Sequence, residues 1–115
     1  MMALPHAASG AVFDTSPPEL DLGRFSSIAL AKTAEQEVIR LTLPKGKTMP
    51  EHHVPGEITL LCLKGSIAVD AHGAEQILRA GQMLYLHGGQ AHALRAEEDS
   101  LALLTILLVK PLRAS

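Results

Sequence analysis

Met49-Pro50-Glu51-His52-His53-Val54-Pro55-Gly56-Glu57 leads without a break into the apolar run Ile58 to Leu63 and the turn Lys64-Gly65. Pro50 and Pro55 argue against a helix, because proline lacks the amide donor and clashes with the preceding turn. The apolar run is short and bounded by glycines, the form of a buried strand. Two imidazoles and two carboxylates thus stand at a strand mouth. A second mouth, His87-Gly88-Gly89-Gln90-Ala91-His92, follows the segment Gln82 to Leu86. A fold that brings the two mouths together makes them one site.

Working outward, Ile39, Leu41 and Leu43 alternate with Val38, Arg40 and Thr42. That period of two marks a strand with one buried face. Ser27 to Lys32, Ser66 to Ala71, Glu75 to Arg79, Gln82 to Leu86, Ala91 to Ala96 and Leu101 to Val109 are short segments of similar kind. Turn residues at Pro44-Lys45-Gly46, Lys64-Gly65, His72-Gly73 and Gly88-Gly89 separate them. The His-bearing stretch itself reads as a kinked or bulged strand. About eight strands with no sustained helical period predict an all-β, antiparallel sandwich or barrel with helix below about one tenth of the chain.

At 115 residues the chain supports one core. Residues 1–24, rich in Ala, Ser and Pro, read as an irregular arm before a domain over 25–115, with Phe25 as its first anchor. A formal charge of −2 and three aromatic residues provide neither a basic stripe nor a stacking platform, which argues against nucleic acid as partner. Cys62 stands alone, as expected in a reducing compartment. Leu101 to Val109 is far shorter than the ~20 residues needed to cross a bilayer, and the first residues lack the pattern of a secretory leader. The expectation is a cytoplasmic protein with no membrane partner. Leu101 to Val109 is also apolar on both faces, so its second face needs cover from the other sheet's overhang, the arm or another subunit; a homodimer is the economical expectation.

Between Gly46 and Ala96 the chain resembles a small single-domain cupin, a jelly-roll β-barrel family with motifs G-x5-H-x-H-x3-4-E-x6-G and G-x5-P-x-G-x2-H-x3-N. Gly46, His52 and Gly65 fall on the first motif; Gly81, Gly89 and His92 fall on the second. His53 and Glu57 stand one residue ahead of the motif's second histidine and glutamate, where this chain has Val54 and Ile58. His87 replaces the motif proline and Ala96 its asparagine. The resemblance implies a pocket binding one divalent metal ion, such as Zn, Ni, Mn or Fe.

The candidate metal ligands are His52 and His92, completed by His53, Glu57 or His87. In an unbroken strand His53 points opposite to His52; a bulge at Pro55-Gly56 would reset the alternation and turn Glu57 inward. Met49, Cys62, Met83, Tyr85 and His87 are candidate pocket residues, the last three sharing one face, with Cys62 read as an inert buried thiol. No residue is assigned a catalytic role. The expected function is metal-assisted action on, or sensing of, a small organic molecule; the alternative is a metal-free ligand-binding or structural barrel.

Overall fold

The computed structural model describes residues 6–109. These hold nine strands and no helix: β1 (Ser26–Lys32), β2 (Gln36–Leu43), β3 (Thr48–His52), β4 (Ile58–Lys64), β5 (Ser66–Ala71), β6 (Ala74–Arg79), β7 (Met83–Leu86), β8 (His92–Ala96) and β9 (Ser100–Leu107). The His-bearing stretch, read from the sequence as a kinked or bulged strand, is β3. Residues 6–25 contain turns and no strand.

Every strand pairing is antiparallel. One sheet runs β1-β2-β9-β4-β7 and the other β3-β8-β5-β6. Among the described residues no hydrogen-bonded ladder joins the two sheets, so the jelly roll takes the sandwich form of the expected sandwich or barrel, with two seams. One seam separates β3 from the entry to β1; the other separates β6 from β7.

Alternation decides which side chains fill the space between the sheets. Leu41 and Leu43 of β2, Leu60 and Cys62 of β4, Ile67 and Val69 of β5, Leu94 and Ala96 of β8 and Ala102 of β9 form one buried cluster. Burying each aliphatic side chain of this kind contributes about 1.5–3 kcal/mol, which makes this cluster the main stabilising element.

The opposite face of the five-stranded sheet is also apolar, and the arm covers part of it. The Thr42 hydroxyl donates to the Arg24 carbonyl at 2.6 Å and lies 2.5 Å from Ser26 Oγ. Thr42 and Leu101 are fully buried on this outer face. Farther along, Met83 and Tyr85 remain 59 % and 57 % exposed.

Candidate functional site

β3 and β8 bring the two histidine mouths together. Met49 pairs with Leu94 and His52 with His92, although the first two are three positions apart and the second two only two. The extra residue is a bulge at Pro50-Glu51, which puts Met49 and His52 on the same face despite their odd spacing. The alternation is therefore reset before His52, and not at Pro55-Gly56 as the sequence reading allowed.

The His52 and His92 rings lie 4.5 Å apart between centroids, tilted by 55°. His52 is exposed and His92 is buried. His52 Nδ1 is 3.1 Å from the Pro50 carbonyl and His92 Nδ1 is 3.0 Å from the Gln90 carbonyl. A carbonyl only accepts, so Nδ1 carries the proton in each ring, and in the neutral ring Nε2 keeps its lone pair for a ligand. Metal-bound histidines are oriented by this same kind of backbone contact.

The space between the sheets below this pair is nearly filled. Leu41, Met49, Ile58, Leu60, Leu84 and Leu94 are among the side chains that leave an opening of about 20 Å³ there, room for roughly one water. A larger groove of about 370 Å³ follows the β1/β3 seam, lined by Phe25, Lys47, Thr48, Met49, Pro50, Glu51 and His52. Met49 and His52 border both spaces. Lys47 Nζ sits 4.4 Å above the Phe25 ring, so this aromatic walls the groove and is not the core anchor the sequence suggested.

Other predicted site residues lie elsewhere. His53 is exposed and outside the strands. Glu57 accepts a 2.5 Å hydrogen bond from the Tyr85 hydroxyl on the outer surface, which raises the Tyr85 pKa. Met83 and Tyr85 alternate with the inward Leu84 and Leu86, so they face away from the interior. His87 continues past β7 and packs edge-on against His72, with ring centroids 5.3 Å apart.

Cys62 is fully buried, with its thiol 3.3 Å from the Lys64 carbonyl. Burial pushes the thiol pKa up, against a smaller lowering by the Lys64 contact. The thiolate fraction is then below that of a free cysteine at any given pH. We expect a thiol-specific disulfide reagent at pH 8 to leave the native protein unlabelled over a period that fully labels the urea-unfolded chain; rapid native labelling would contradict this placement.

A metal ion holding two imidazoles at nitrogen distances of about 2.0–2.1 Å, with angles of about 90–110°, sets ring centres roughly 4.5–5.3 Å apart. The His52–His92 centroid distance of 4.5 Å falls at the lower end of that spacing. The four-ligand set implied by the resemblance does not assemble. Among the described residues, no group of three or more His, Cys, Asp or Glu side chains is placed to hold a metal. Sequence reasoning missed Phe25 and Lys47 as groove walls, because only the opposed strand edges bring them to His52.

The cupin domain model matches residues 39–109, and the chain belongs to that family. Among solved structures, it is similar to a conserved protein of unknown function from Streptococcus pyogenes, with 20 % identity, TM-score 0.79 and coverage of 96 % of this chain and 98 % of that one. It is also similar to a cupin superfamily protein from Desulfitobacterium hafniense, with 17 % identity, TM-score 0.75 and coverage of 96 % and 100 %. For an RmlC-like cupin from Shewanella frigidimarina the values are 15 %, 0.74, and 90 % and 94 %. At these identities the likeness concerns the fold. No curated protein matches the chain.

Proposed function

We propose that this chain is a small-molecule-binding cupin whose ligand occupies the β1/β3 groove and places its polar end against His52 and His92. The observation that carries this reading is the placement of His52: it borders the groove and pairs with His92. The groove volume of about 370 Å³ is at the lower end of small-molecule sites, typically about 300–1,000 Å³. Phe25, Met49 and Pro50 suit an apolar body, and the two imidazoles suit a hydrogen-bonding or metal-chelating end. A divalent ion here takes two protein ligands and draws the rest from water and the bound molecule. It therefore binds when supplied and exchanges freely.

Zinc, nickel, manganese and anaerobic ferrous iron, titrated in turn into metal-free protein, should perturb the His52 and His92 imidazole resonances with at least one ion. His52→Ala and His92→Ala should each abolish the response of the remaining mouth imidazole. A fragment screen by NMR should give hits whose shifts cluster at Phe25, Met49 and His52. An unmoved histidine pair with all four ions would remove the metal. The absence of fragment hits in the groove would remove the ligand-binding reading itself.

We also propose that the chain forms a homodimer through the outer face of the five-stranded sheet. Exposed Met83, Tyr85 and Leu107 lie there beside half-buried Leu61 and Leu103, forming an apolar surface. Sedimentation at micromolar concentration should give twice the chain mass, and Met83→Glu should shift it toward one. A wild-type monomer would refute the assembly.

A further inference from the structure

We propose that His72 and His87 form a second, two-imidazole site for a borderline divalent ion such as zinc, nickel or copper, and that this ion ties the two sheets together across the β6/β7 seam. The rings belong to different sheets. His72 sits in the turn between β5 and β6, whereas His87 follows β7. β6 and β7 are edge strands of separate sheets, and a gap of about 70 Å³ lined by Val69, His72, Gln76, Leu84 and Leu86 lies between them.

Three observations point to a shared ion. The centroid separation of 5.3 Å equals the upper end of the roughly 4.5–5.3 Å spacing of two imidazoles on one metal. His87 Nδ1 lies 2.8 Å from the Gly88 carbonyl, so Nδ1 is its donor and Nε2 of the neutral ring is free to ligate. Both rings are exposed, so an ion reaches them from solvent.

The His72 backbone also has an uncommon conformation. Its φ is +54°, the only positive φ on a non-glycine residue among those described. With Gly73 at φ +73° it forms a two-residue hairpin turn in which both centres have positive φ. Asparagine before glycine suits such a turn best. Histidine, with asparagine and aspartate, is among the non-glycine residues that adopt this conformation most often, so the turn accommodates an imidazole and holds it beside His87.

Calorimetric titration of metal-free protein with zinc or nickel, together with thermal melting, tests the site. His72→Asn and His87→Ala should each lower the number of ions bound per chain by one. An ion bound only by the folded state raises the melting midpoint; that rise should shrink or vanish in both variants. Asparagine suits the turn, so His72→Asn should melt, without metal, at or above the wild-type midpoint, which excludes misfolding as the cause of the loss. Either variant binding as many ions as wild type would overturn the site. An equal zinc-dependent rise in all three proteins would overturn the tie between the sheets. The test is separable from the mouth pair: with both sites correct, wild type takes two ions and His72→Asn one, whereas without the mouth ion the numbers are one and none.

Discussion

Gly65→Ala is expected to lower stability by about 2–5 kcal/mol, the sum of two effects at one position. Gly65 has φ +81°, a left-handed conformation that costs a side-chain-bearing residue about 1–2 kcal/mol. A Cβ there would also overlap Ser100 Oγ and the Asp99 carbonyl oxygen, and forced overpacking costs about 1–3 kcal/mol more. Relaxation is restricted because Ser100 Oγ accepts from the Ser66 amide and lies within bonding distance of the Ser66 and Glu98 carbonyls. Moving that hydroxyl frees the buried start of β9. Gly46→Ala supplies the control: its φ is +84°, but nothing lies within 4 Å of its added carbon. It should cost only the backbone part. Urea unfolding of the two variants measures the difference, and equal midpoints would show that packing at Ser100 contributes nothing.

Gly56→Ala is expected to cost about 1.5–4.5 kcal/mol and to disturb the mouth as well. A Cβ at Gly56 would overlap the Leu107 carbonyl oxygen, and one at Gly88 would overlap the Pro55 carbonyl oxygen. The segment between β3 and β4 is thus held on both sides by backbone approaching backbone. Overpacking of about 1–3 kcal/mol adds to the adjacent hydrogen bond from Leu107 N–H to the Glu57 carbonyl, 2.9 Å long, worth about 0.5–1.5 kcal/mol. The urea midpoint should fall by about 1–2 M. Displacement of this segment should also release Glu57 from Tyr85, detectable as a tyrosine pKa moving back down toward its ordinary value. A variant with wild-type midpoint and unchanged tyrosine titration would show that the segment has slack.

That clamp explains why His53 and Glu57 stay away from His52 and His92. In the sequence, Pro55-Gly56 looks like a place where alternation could be reset, and Gly88-Gly89 looks like a turn. The close approach between them is a tertiary fact with no local signature. The bulge at Pro50-Glu51 was only half legible: Pro50 signals an interrupted ladder, but the register of β3 depends on its partner β8. The Met83, Tyr85 and His87 face was correctly grouped by alternation and wrongly oriented. Leu84 and Leu86 offered an equally apolar alternative, and the buried set was decided by which face met Leu60 across the ladder to β4. By contrast, the strands, the shared position of His52 and His92 and the buried thiol were readable, because alternation and glycine spacing carry them locally.

The outer strands of the two sheets bear on how copies of the chain meet at high concentration. β3 carries Pro50 and a bulge, and β1 has its own irregularity between Ala29 and Ala31. There the Ala7 amide occupies the Leu30 carbonyl at 2.9 Å. Both borders are therefore poor templates for a further strand, which is how natural sheets resist fibrillar polymerisation. A chain shortened to begin at Phe25 would lose the Ala7 contact and leave the irregularity between Ala29 and Ala31 as the remaining protection of the β1 border.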